Sequence, residues 1–150
     1  MSISAITVAN FFVRKGIEEQ DSGMTPMKVL KLSYIAYGWY LALYGSQLFN
    51  EPIQAWQYGP VIPSVYRAFK EYGNGRITEQ FFSGETISDP QLLKFLNRIW
   101  EVYKGYSGWQ LSSITHQPNT PWSLTWTGIP NTVIPNEIIK NHYLELSSRK

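Results

Sequence analysis

The sequence predicts a mainly α fold, a single-domain helical bundle around a central buried helix with one short antiparallel β ribbon. Three observations carry this. The stretch from Thr25 to Gly45 is a capped helical run that is apolar or aromatic over most of its surface. Other segments place apolar residues at steps of three and four, bounded by Gly, Pro or a polar cap. One stretch alone, Ser46 to Pro60, joins turn chemistry to a two-residue alternation.

In the central run Thr25 suits the N-cap, and Pro26 suits the first helical position, where no backbone donor is needed. Met27, Leu30, Tyr34, Tyr37, Leu41 and Tyr44 keep helical spacing. From Tyr34 to Tyr44 only Gly38 interrupts the apolar and aromatic residues, and a helix of that kind is buried on every side. Gly45 can take the left-handed conformation that ends it. About 20 residues make a rod of roughly 30 Å, enough to cross a small domain. Lys28 and Lys31, one turn apart at its start, are expected to face solvent.

Before it, Ser4 caps a first helix with Ile6, Ala9, Phe12 and Val13 on one face and Gly16 at its end. Glu18, Glu19, Gln20 and Asp21 then read as a solvated loop. After it, Asn50-Glu51-Pro52 is turn chemistry, so the ribbon spans about residues 48–58 with its turn there, and Gly59-Pro60 stops it. Pro63 opens a third helix whose face is Ile62, Val65, Tyr66, Phe69 and Tyr72. Arg76 to Ser88 lacks a period, and Phe81 and Phe82 are expected to dock that loop on the core. Asp89-Pro90 starts a fourth helix carrying Leu92, Leu93, Leu96, Ile99, Trp100 and Tyr103. Ser107 caps a fifth, with Trp109, Leu111 and Ile114. Thr120-Pro121 starts a short turn through Trp126, and Ile129 to Pro135 is extended. A last helix runs from about Pro135 to Leu146, with Ile138, Ile139, Tyr143 and Leu146 inward, and Ser147 to Lys150 fray.

Composition bounds the chemistry. The 150 residues hold no cysteine, so disulfides and thiolate catalysis are excluded, and a cytoplasmic home is expected. Thirteen basic and eleven acidic residues leave +2, too little to point to nucleic acid. Arg67, Lys70, Lys28 and Lys31 are scattered and make no phosphate-binding stripe. No apolar run reaches the ~20 residues a bilayer requires, and Arg14 and Lys15 follow the first apolar residues instead of preceding them, unlike a signal peptide. Two histidines, His116 and His142, and no cysteine leave no zinc motif, and no glycine pattern cradles phosphate, so neither metal nor cofactor is expected. Ser112, Ser113 and Thr115 lie near His116, yet the G-x-S-x-G elbow is missing and no catalytic residue is assigned. His116 reads as a helix C-cap, Trp122 as a core anchor, and His142 as partly packed. The surplus is aromatic: seven Phe, six Trp and ten Tyr, rings that serve cores and partner surfaces alike.

The ordered matches of the run from Lys28 to Gly73 add a family. Lys31-Leu32-Ser33-Tyr34, Leu48-Phe49, Ala55-Trp56, Gly59-Pro60-Val61 and Val65-Tyr66, followed by Thr115-His116 and Pro121-Trp122, resemble the Panacea domain. That is the family of SocA-like antitoxins and GepA-type mobile-element proteins. The resemblance implies a mainly helical domain, often prophage-borne, encoded beside a toxin gene. It implies a non-enzymatic antitoxin that neutralises this toxin by direct protein–protein contact, and for the SocA branch delivery to an ATP-dependent protease. Operator binding is not expected, since only a short helix precedes the matched region. The matched residues Lys31, Leu32, Tyr34, Gly59, Pro60, Val61, Tyr66, Thr115, His116, Pro121 and Trp122 are read as structural. Toxin contact is assigned to the ribbon and the later loop, at Gln54, Trp56, Gln57, Tyr58, Gln117 and Asn119, with Lys28 and Lys31 as the other surface. The rivals are a nucleic-acid-binding regulator, a phage protein without a toxin and a small His116-dependent hydrolase.

Overall fold

A computed structural model describes residues 3–149. In chain order they form α1 (Ala5–Glu18), α2 (Pro26–Tyr44), β1 (Gln54–Trp56), β2 (Gly59–Val61) and α3 (Pro63–Phe69). A 3-10 turn (Lys70–Tyr72) follows, then α4 (Pro90–Tyr103), α5 (Gly108–Thr115), α6 (Pro121–Thr125), β3 (Thr132–Val133) and α7 (Asn136–Ser148). The mainly α architecture with a small antiparallel sheet is the one the sequence predicts.

Helix α2 is the axis. Thr25 Oγ1 accepts from the Lys28 amide at 3.3 Å, and Gly45, at φ 71°, closes the far end by donating to the Leu41 carbonyl. Helices α1, α3, α4, α5 and α7 all pack on it. It crosses α7 closely, where a Cβ on Gly38 would overlap the Tyr143 ring. That ring sits edge-on to Trp39 at 5.2 Å and to Tyr34 at 6.2 Å. Gly38 is therefore the notch that seats α7.

Helix α1 does not stop at Gly16. A Cβ there would meet Met24 at 3.0 Å, so Gly16 is kept for close packing inside the helix. Glu18, Glu19 and Gln20 are exposed as expected, yet two of the acidic residues, Glu19 and Asp21, also act as anchors. Glu19 accepts from Trp100 Nε1 at 3.0 Å and from Lys104 Nζ at 3.3 Å. Asp21 meets Lys28 Nζ at 2.7 Å. Lys28, expected to face solvent, is only 2 % exposed and also donates to the Lys104 carbonyl at 2.7 Å. Its stem packs inward because Asp21 and that carbonyl offer the charge a partner inside. Asp21→Asn removes the counter-charge of a buried ammonium, and is expected to cost about 3 kcal/mol in chemical denaturation. A change under about 0.5 kcal/mol would show that the carbonyl alone suffices.

The stretch 76–88 meets its expectation in part. Phe81, 45 % exposed, docks edge-on against the buried Phe69 ring at 6.3 Å, whereas Phe82 is 89 % exposed and Ile77 enters the core in its place. The Asn10 side chain accepts from the Phe81 amide at 2.9 Å and donates to its carbonyl, tying the loop to α1 by its backbone. Thr7 donates to Glu85 at 2.6 Å, extending the same seam.

The ribbon lies later than predicted. Leu48 and Phe49 are core plugs, Phe49 packing on Tyr37 at 4.7 Å, so the Asn50–Pro52 turn only delivers β1. The hairpin closes one segment on: Gln54 pairs with Val61, Ala55 with Pro60 and Trp56 with Gly59, leaving Gln57 and Tyr58 at its tip. Gly59-Pro60 thus forms a strand instead of ending one. Pro60 is tolerated because β2 is an edge strand in the order β2-β1-β3. On α5 the inward residues are Gly108, Leu111, Ser112 and Thr115, whereas Trp109 is 74 % exposed and Ile114 also faces out. Proximity explains the glycine: a Cβ on Gly108 would stand 3.1 Å from the Lys28 amide, so the start of α5 lies tight against the start of α2. Helix α7 continues to Ser148, past the predicted end at Leu146; Lys150 lies outside the described residues.

Candidate functional site

The hairpin tip is held by its backbone. Trp56, Tyr58 and Pro60 each offer a carbonyl to a side chain from elsewhere. Trp122 Nε1 donates to the Trp56 oxygen. Ser112 Oγ donates to the Tyr58 oxygen at 3.3 Å, and Lys31 Nζ donates to the Pro60 oxygen at 2.9 Å, with the Tyr58 oxygen at 3.5 Å. Gly59 bends the chain over the amine at φ 121°, and a Cβ would come within 2.9 Å of Lys31 Nζ. Only glycine fits both demands.

Lys31 therefore corrects a second expectation: it is 3 % exposed, not solvent-facing. Lys28 and Lys31 leave the same helix for two separate buried environments. Among the described residues Lys31 has no carboxylate partner, and burial alone pulls its amine from 10.5 down to about 7.

Beside the hairpin lies a groove of about 490 Å³ between the start of α2, the tip and α3. Met27, Leu30, Trp56, Tyr58, Val61 and Tyr66 give it apolar and aromatic walls, with Lys31 and Lys70 as its cations. Trp56 is oriented by its indole N–H, donating to Gln54 Oε1 at 2.9 Å, and by Tyr66, edge-on at 5.0 Å. Tyr58 is 69 % exposed at the tip, and Gln57 is exposed beside it.

Of the assigned contact residues, Trp56, Gln57, Tyr58 and Lys31 thus meet at one groove, with Gln54 positioning Trp56. Gln117 and Asn119 are exposed on the α5–α6 loop, and Lys28 is buried against Asp21; none of the three lines the groove. The matched Leu32, Tyr34, Val61, Thr115 and Pro121 are buried, while Tyr66 is 41 % exposed. Sequence reasoning missed Met27, Leu30 and Lys70 as lining residues. The four-residue step from Tyr66 to Lys70 is the one signal that could have found the cation.

His116 caps α5 through its backbone amide, and its ring stands edge-on to Trp122 at 5.5 Å. Its Nδ1 is 3.5 Å from Ser112 Oγ. That hydroxyl is buried and donates to the Tyr58 carbonyl, so the pair serves the hairpin's support. Among the described residues no cluster of three His, Asp or Glu could hold a metal ion, and no helix is long and apolar enough to cross a membrane. A second groove of about 690 Å³ runs between the end of α2 and α4, past Leu43, Tyr44, Val102, Lys94 and Arg98.

The family described as "Antitoxin SocA-like, Panacea domain" matches residues 29–123. That span holds Lys31, the hairpin, α3 and Trp122, and leaves α1 and α7 outside. The Antitoxin SocA of Caulobacter vibrioides (strain NA1000 / CB15N) is 28% identical over 137 residues, covering 85% of this chain and 72% of the relative. No solved structure matches the chain.

Proposed function

The chain belongs to the SocA-like antitoxin family of Panacea domains, and on that premise we propose that it neutralises a cognate toxin by direct protein–protein contact. It acts as a single domain in the cytoplasm, and its contact surface is the hairpin tip with the adjoining groove. The observation that carries this is the fixed, exposed tip. Tyr58 stands in solvent over aromatic walls while its backbone is clamped from behind. Tyr and Trp side chains carried on a pre-ordered backbone around an apolar hollow are the usual centres of binding energy in protein interfaces, because little backbone entropy is lost on contact.

The test is co-expression with the product of the adjacent open reading frame. Growth arrest by that product, its relief by this protein and co-purification of the two are the expected results. Tyr58→Ala is expected to weaken the complex by at least about tenfold, a loss typical of a central aromatic anchor, with an unchanged melting temperature. An adjacent product that binds wild type and Tyr58→Ala equally would remove the tip from the interface. Toxin abundance during rescue separates blocking from delivery to an ATP-dependent protease, since only delivery lowers it.

A further inference from the structure

We infer that the groove beside the hairpin receives an Asp or Glu side chain that its protein partner presents among apolar residues. This rests on the toxin-binding reading and specifies the chemistry of the contact. The groove's charge is one-sided: Lys31 and Lys70 line it and no carboxylate does. The titratable groups that share the groove with Lys31 are Tyr58 from the hairpin, Tyr66 from α3 and Lys70 from the 3-10 turn, and His116 from the end of α5 lies across Gly59 from the amine. Lys28, on its own helix, is turned to Asp21. Among the described residues no Asp or Glu lines the groove or pairs with Lys31.

The Lys31 amine has three hydrogens, one good acceptor at 2.9 Å and a marginal one at 3.5 Å. A buried ammonium gains most from an anion placed where water is excluded. The apolar walls supply that exclusion, and they favour a carboxylate flanked by apolar side chains over a free anion. Exposed Lys70 steers the charge in from the rim. The occupied site holds the Lys31 proton more tightly, so binding takes up a proton wherever the free amine has lost it.

The probe is the blocked tripeptide acetyl-leucyl-aspartyl-tryptophanamide, compared with its asparagine counterpart and followed at the Trp56 indole N–H by NMR. The aspartyl peptide is expected to bind about tenfold tighter near pH 7. The difference closes by about pH 9, as the free amine loses its proton. It is also absent in Lys31→Met and reduced in Lys70→Glu, an exposed site where folding is not at risk. Equal binding of the two peptides, or a difference that Lys31→Met and high pH leave intact, overturns the proposal. The complex with the adjacent gene product separates the two levels. No complex removes the antitoxin reading, while a complex whose dissociation constant ignores pH and both variants removes the carboxylate contact alone.

Discussion

Gly38→Ala is expected to destabilise the protein by about 3 kcal/mol, lowering the melting temperature by roughly 6–12 °C. The added methyl has nowhere to go. Its position overlaps the edge of the Tyr143 ring, and that ring is itself wedged against Tyr34 and Trp39. Relief requires α7 to lift from α2 or Tyr143 to leave its place, and either opens the core where the two helices touch. The coupling is testable. Tyr143→Leu removes the obstructing ring, so the double variant should be less destabilised than the sum of the singles by about 1 kcal/mol or more. Simple additivity, or a Gly38→Ala protein as stable as wild type, would mean that the helices are spaced more widely than the crossing requires.

Stability is expected to rise with pH from about 7 to about 9.5, opposite to the behaviour of a protein held by ordinary surface lysines. The Lys31 amine titrates at about 7 when folded, against 10.5 for the free group. Between those values the unfolded chain carries a proton that the folded chain has released. Raising the pH therefore penalises the unfolded state, by up to about 1.4 kcal/mol per pH unit. Below pH 7 both states are protonated, and the folded chain carries the full cost of a buried charge. Near pH 10 a second effect turns the curve over. Burial pushes the Tyr34 and Tyr143 phenols well above their ordinary range, so only the unfolded chain ionises them there and stability falls again. Urea denaturation at half-unit intervals measures the profile. Lys31→Met should flatten the rise from 7 to 9.5 and leave the alkaline fall. A wild-type profile flat across that window, or the same slope in both proteins, would sink the assignment.

What the sequence shows and hides follows from length and chemistry. The caps at Ser4, Thr25, Asp89, Ser107 and Thr120 were legible because capping is a local hydrogen bond between residues two or three apart. Helix α2 was legible because a face-independent apolar run has few other solutions. The buried lysines were not. Helical spacing puts Lys28 and Lys31 near one another, but the acceptors that draw them inward are Asp21, the Lys104 carbonyl and the Pro60 carbonyl, contributed by other segments. The α5 face misled for a related reason. Its partner approaches so closely that Gly108, Ser112 and Thr115 are buried beside Leu111, and hydropathy ranks those three below Trp109 and Ile114. At the groove, Trp56, Gln57 and Tyr58 could be picked from turn chemistry, whereas Met27 and Leu30 could not be told from core residues without knowing that the hairpin leaves them a hollow.

The hairpin is gripped through the oxygen atoms of Trp56, Tyr58 and Pro60, and at its tip not one clamp touches the side chains of Gln57 or Tyr58. Main-chain oxygens are the same whatever residue carries them. Positions 57 and 58 can therefore be randomised as a two-site library on an unchanged frame, in the manner of a grafted recognition loop. Selection from that library for binding to foreign proteins would redirect the specificity of the scaffold without a redesign of its core.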